Sequence, residues 1–158
     1  MLIGVMSDSH DQLPRLKQAI EFFNTRAVNI VVHAGDFVAP FAIDLLAGLA
    51  CPWIGVVGNN DGERRGLTLK SEGRIQEPPY ELNLGGKSMY ITHDLDDVPD
   101  RKIPGRDVII YGHTHEPSVR LRDKQLFVNP GELCGLLTGK STVAVVDTEA
   151  MTAEIVEL

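Results

Sequence analysis

Cysteine is scarce in this chain, basic side chains are outnumbered, and no apolar run is long. Only Cys51 and Cys134 occur among 158 residues. They share no close-spaced metal pattern, so two reduced thiols are expected rather than a disulfide framework. Lys and Arg number 15 against 22 Asp and Glu, a net charge of -7. That balance argues against general nucleic-acid binding, which rests on surplus positive charge. No window approaches the roughly 20 apolar residues of a membrane span. The start, MLIGVMSDSH, lacks the basic, apolar and small-residue order of a secretion signal. A cytoplasmic protein without a membrane partner is therefore expected. What is present is 43% apolar composition, enough at this length for one compact domain over residues 1–158.

Apolar periodicity divides the chain in two. LIGVMSD at 2–8 reads as a strand, and Leu13, Leu16, Ile20 and Phe23 form one face of a helix whose first turn suits Pro14. NIVVHAGD at 29–36 is a second strand, PFAIDLLAGL at 40–49 a helix ending near Gly48, and WIGVVGNND at 53–61 a third strand. Strand and helix alternating in this way imply a parallel sheet. From residue 80 the pattern changes to hairpins, YELNL turning at Gly85-Gly86 and SVRLR turning at Asp123-Lys124. An antiparallel portion is expected there. Residues 62–79 are polar, partly helical at best, and close on two prolines.

Every apolar run ends in the same kind of chemistry: Asp8-Ser9-His10, Gly35-Asp36, Gly58-Asn59-Asn60-Asp61, Thr92-His93-Asp94 and Gly112-His113-Thr114-His115. Ligand crevices in open α/β sheets lie outside the carboxyl ends of strands, so these residues are expected to converge. Carboxylates, an amide oxygen and imidazoles form a mixed oxygen and nitrogen set suited to Mn, Fe, Co, Ni or Zn. Seven donors are too many for one tetrahedral ion. Two ions about 3.5–4 Å apart, sharing a carboxylate, would use all of them and clamp a phosphoryl group. They would also reverse, locally, the repulsion between an acidic protein and phosphate.

These five ordered motifs, D-x-H, G-D, G-N-x-D, a strand-end His and G-H-T-H, resemble the calcineurin-like metallophosphoesterases from Asp8 to about Gly131. The short chain is similar to the compact bacterial and archaeal phosphodiesterase branch. The resemblance implies an α/β fold, a four-layer αββα sandwich with mixed parallel and antiparallel sheets. It implies two divalent ions, with Mn or Ni favoured and Fe, Co or Zn open. Asp8, His10, Asp36 and His115 would hold one; Asp36, Asn59, His93 and His113 would hold the other, with Asp36 the bridge. The implied activity is hydrolysis of a small phosphoester, foremost a phosphodiester, by a hydroxide held between the ions. Asn60 and Asp61 complete the implied catalytic group, Asp61 by orienting a neighbouring ligand or loop. Compact relatives often form dimers or larger assemblies.

Three positions depart from the family pattern. Asn60 stands where many members have His and the compact branch often has Cys; it can donate a hydrogen bond but cannot deliver a proton at neutral pH. Asp94 follows His93 in place of the usual Gly, and Glu132 replaces the commoner Ser of N-P-G-S. Other residues have simpler readings. His33, inside a strand run, is taken as a packed residue and Asp11 as a helix-start residue. Cys51 and Cys134 are taken as core thiols, and Arg64, Arg65, Lys70 and Arg74 as a solvated face. The rival to an enzyme is a binding scaffold, since the small retromer subunit resembles this branch in fold. Such a scaffold can lose donors freely, and here all seven are filled.

Overall fold

A computed structural model of the chain describes residues 1–96, 103 and 105–158. Strands β1 (Leu2–Met6), β2 (Ile30–His33) and β3 (Trp53–Val56) run parallel to one another, as the alternation of apolar runs and helices predicts. Residues 62–79, polar and partly helical at best by sequence, form helix α2 (Arg64–Lys70) and add a short fourth parallel strand, β4 (Ile75–Gln76). The polar surface of this segment hides its signal, because Leu67 and Ile75 are the apolar residues it buries. Helix α1 (Leu13–Thr25) buries Leu16, Ala19, Ile20 and Phe23, the face read from spacing.

Residues Pro40–Gly48 wind as a 3-10 helix rather than an α-helix. In that tighter winding residues three apart eclipse, which stacks Ile43 over Leu46 on the buried face. Together α1, α2 and this helix cover one face of the first sheet. The other face packs on the second sheet through Ile3, Val5, Val32 and Val56 against Met89, Ile91, Ile110 and Val128.

The second half holds the expected antiparallel hairpins within a mixed sheet. Hairpins β5 (Tyr80–Leu84) with β6 (Lys87–Ile91), and β8 (Ser118–Arg122) with β9 (Gln125–Asn129), form as read. Yet β6 lies parallel to β7 (Val108–Ile110), and β7 parallel to β9. The last hairpin, β10 (Thr142–Asp147) and β11 (Thr152–Glu157), returns to the first sheet, where β10 pairs antiparallel with β1. Both sheets are thus mixed, in the orders β11-β10-β1-β2-β3-β4 and β5-β6-β7-β9-β8. On the outer face of the second sheet Tyr90, Ile109 and Tyr111 pack with Leu95, Ile103 and Phe127. Among the described residues that side bears no helix, so the fourth layer of the expected sandwich is not seen among them. No described helix is long and apolar enough to cross a membrane.

Candidate metal centre

The topology brings the ends of β1, β2 and β3 in one sheet opposite the ends of β6 and β7 in the other. All seven expected donors gather along that edge. Five of them, Asp8, His10, Asp36, His113 and His115, have left-handed backbone, with φ between 41° and 66°. Such conformations cost roughly 1–3 kcal/mol each and persist only where the surroundings dictate them. Here adjoining loops do so: Asp8 N–H donates to Gly35 O at 3.0 Å and His10 N–H to Asp36 O at 3.1 Å, while Cys134 N–H donates to Asp8 O at 3.0 Å. The glycines between donors leave room. A Cβ at Gly35 would come 2.6 Å from His93 Nδ1, and one at Gly58 would strike Asp36 Oδ1.

The donors form two sets that meet at Asp36. In the first, His10 Nε2 is 3.9 Å from Asp8 Oδ1 and 3.5 Å from Asp36 Oδ2, and His115 Nε2 is 3.4 Å from Asp8 Oδ1. In the second, His93 Nε2 lies 3.4 Å from Asp36 Oδ2 and 2.9 Å from Asn59 Oδ1, which is also 2.9 Å from His113 Nδ1. Asp8 Oδ1 and His10 Nε2 are buried without any hydrogen-bond partner, which is costly for polar atoms unless something else occupies the space between them. In the second set His93 donates Nδ1–H to Ala34 O at 2.8 Å. With Nδ1–H so placed, the lone pair on Nε2 of the unprotonated ring faces two oxygen acceptors. Such converging lone pairs call for a proton or a cation at their centre, so both sets fit divalent ions.

Charge follows the same geometry. Burial alone would raise the Asp36 carboxyl, but the His93 bond and charge and the donations from Asn60 outweigh it and hold Asp36 well below the usual carboxylate range. Burial lowers His93, and the Asp36 carboxylate more than compensates, so its pKa is raised. Burial raises Asp8 against the opposing influence of Ser7 and the histidines. His33 is neutral: burial, with the charge of His93, brings it down to about 3. Its ring stacks on Phe37 with centroids 3.7 Å apart, outside both donor sets.

Asn60 donates to Asp36 twice, from its backbone N–H at 2.8 Å and from Nδ2 at 2.7 Å. Asp61 accepts backbone N–H groups from Asp36 at 3.1 Å, Gly58 at 2.8 Å and Val38 at 2.7 Å. It ties together the two loops that carry Asp36 and Asn59. Asp11 differs from its reading as a helix-start residue: it accepts Ala39 N–H at 3.0 Å, and α1 begins after Gln12 with no side-chain cap. Arg64, Lys70 and Arg74 are half-exposed and paired with Glu77, Asp44 and Glu72, a solvated face as expected.

Two residues contribute beyond what the sequence suggested. Glu132 is fully buried and receives His115 Nδ1–H at 2.8 Å. Burial would raise its carboxyl, but the donors from His115, Thr138 and Cys134 hold it at about 2. Asn129 donates Nδ2–H to Gly112 O and Thr114 Oγ1, bracing the G-H-T-H loop. The departure from N-P-G-S flags Glu132 in the sequence, without showing what it would touch; Asn129 is not singled out there. Cys134 is buried as expected, yet its thiol sits within 4.8 Å of donor atoms of His10 and His115. Burial and the Glu132 carboxylate push it up to about 12, so it is a thiol donating to Glu132 and not a thiolate.

Paired mixed sheets with imidazoles and carboxylates collected at their strand ends define a metallohydrolase-like α/β protein. Comparison with known proteins makes the class specific. The chain belongs to the calcineurin-like phosphoesterase superfamily, whose domain model matches residues 1–151. It is 43% identical over 156 residues to the phosphodiesterase MJ0936 of Methanocaldococcus jannaschii, covering 94% of both chains. The phosphodiesterase YfcE of Escherichia coli is 28% identical across 84% of this chain and 79% of its own. Among solved structures, an archaeal phosphodiesterase superposes with a TM-score of 0.92 at 39% identity over 100% of both chains. A Vps29 from Entamoeba histolytica, solved in complex with zinc, shares the fold at a TM-score of 0.65 and 18% identity, over 99% of each chain. The chain is accordingly a hydrolase of phosphoesters, from a family that uses divalent metals.

Proposed function

We propose that this protein is a dinuclear phosphodiesterase. The observation that carries the proposal is the pair of donor sets meeting at the Asp36 carboxylate, each with orphaned or converging lone pairs that a cation would satisfy. Asp8, His10, Asp36 and His115 would hold one ion, and Asp36, Asn59, His93 and His113 the other. When bound, the two ions supply Lewis acidity to the phosphoryl oxygens and acidify the water that attacks phosphorus. Mn and Ni suit the imidazole-rich set better than Mg. The likeness to MJ0936 supports a phosphodiester over a monoester, and two free cysteines fit a reducing cytoplasm.

The residues around the ions have separate tasks. Asp36 shares its charge between both sets, and Asn60 pins it through two hydrogen bonds. Exposed at the mouth, Asn60 can donate to a phosphoryl oxygen but supplies no proton to a leaving group. Asp61 keeps the Asp36 and Asn59 loops in register. Metal content measured after reconstitution, alongside turnover of a phosphomonoester and phosphodiester panel, tests the reading. About two ions per chain and Mn-dependent cleavage of an aryl phosphodiester are expected. Metal binding without any turnover would favour a scaffold instead, since the Vps29 fold also takes zinc.

A further inference from the structure

Three of the four histidines in the donor sets have their outer ring nitrogen engaged, and the partners differ. His93 gives Nδ1–H to a neutral carbonyl, Ala34 O, at 2.8 Å. His113 turns Nε2 toward Asp94 Oδ2, a partly exposed carboxylate 3.5 Å away. His115 alone gives its proton to a fully buried carboxylate, Glu132 Oε2, at 2.8 Å. Glu132 is itself locked. Its oxygens also accept from Leu137 N–H, from Thr138 N–H and Oγ1–H, and from the Cys134 thiol, at 2.6–3.1 Å. Every partner is a donor, so the carboxylate has one orientation and the His115 tautomer is fixed, with the Nε2 lone pair toward Asp8.

We infer that Glu132 is a positioning residue that acts through His115 to make the Asp8 side of the centre the tighter of the two positions, so that the ions load in order. This rests on the two-ion reading above. A carboxylate behind an imidazole raises its basicity and fixes its direction, and loss of such a partner typically weakens metal affinity by about 10- to 100-fold. The Asp8 position joins that imidazole to two carboxylates, Asp8 and Asp36. The other position has only the shared carboxylate, with the neutral Asn59 amide and a loosely held His113.

Calorimetric titration of metal-free protein with Mn²⁺ reads the two steps separately. Wild type should show two, and Glu132→Gln should lose about 10- to 100-fold in the first while the second moves only a few-fold. Thr138→Val removes one donor to Glu132 without touching His115, so it should lower stability and leave both steps unchanged. A first step unaltered by Glu132→Gln would overturn the inference, as would an equal loss in Thr138→Val, which would reduce Glu132 to a loop support. A wild type that binds fewer than two ions would overturn the two-ion reading together with this one. Independent of any variant, nitrogen-detected NMR with Zn²⁺ should show His10 and His115 shifting with the first equivalent, ahead of His93 and His113. The reverse order would refute Glu132 as the residue that sets the sequence.

Discussion

Replacing His33 by glutamine separates a core histidine from a metal ligand, and the effect can be worked out beforehand. His33 Nδ1 accepts Gly35 N–H at 3.3 Å, which leaves the ring hydrogen on Nε2 to be donated to Ser9 Oγ at 3.0 Å. A second proton would enter a fully buried ring with no acceptor for it, so burial first, and the charge of His93 next, bring the pKa from 6.5 to about 3. Because the folded pKa lies below the unfolded one, acid protonates the unfolded chain first. The stability His33 contributes is complete above pH 6.5, declines as pH falls, and levels off near pH 3. At about pH 5 the unfolded histidine is about 1.5 pH units below its pKa, which at about 1.36 kcal/mol per unit amounts to about 2 kcal/mol lost. Urea unfolding of chelator-treated protein at about pH 7.5 and about pH 5 reads this directly. Wild type should lose about 2 kcal/mol more than His33→Gln between the two conditions, whatever the substitution costs at neutral pH. Equal losses would refute the assignment of a neutral, buried His33. The variant should also keep the metal stoichiometry of wild type; a missing ion would make His33 a ligand after all.

Other expectations follow from the site. Asp36→Asn should remove detectable turnover and weaken both ions by more than the roughly 10- to 100-fold typical of a lost group behind a ligand, because an amide bridges two cations poorly; unchanged metal content by elemental analysis would count against Asp36 as the shared residue. Asn60→His should flatten the dependence of kcat/KM on leaving-group pKa across a series of aryl phosphodiesters, since positioned acid catalysis contributes about 10²- to 10⁴-fold. Parallel slopes, with no new limb in the pH-rate profile, would leave position 60 without an acid role. Asp61→Ala strands three backbone N–H groups and should cost at least the roughly 1–3 kcal/mol of one buried unsatisfied donor, measured by urea unfolding; a loss below that would mean that water replaces the carboxylate.

Much of the centre was legible in the chain because strand-end chemistry is local. A run such as VIIYGHTH declares by itself that an apolar strand stops, that a glycine permits close approach, and that metal-competent side chains follow. Aspartate and histidine also tolerate the left-handed backbone that five of the donors adopt. Which strands lie side by side is a different kind of fact. The parallel contact of β6, β7 and β9 joins segments far apart in sequence, and hairpin signals described only the antiparallel pairs within each. Strand β4 leaves no signal in the sequence and helix α2 only a weak one, because their pattern rests on a few buried residues among exposed charges. Asp94 and Glu132 stood out in the sequence as unusual residues without a task, and Asn60 as a member of the implied catalytic group that cannot supply a proton. Packing supplied a partner to each, since Asn60 reaches Asp36, Asp94 faces His113 and Glu132 accepts from His115. The physical reason is one of range: propensity, periodicity and turn chemistry act over a few neighbours, whereas the direction of a hydrogen bond on a ligand's far nitrogen exists only once two sheets have closed on each other.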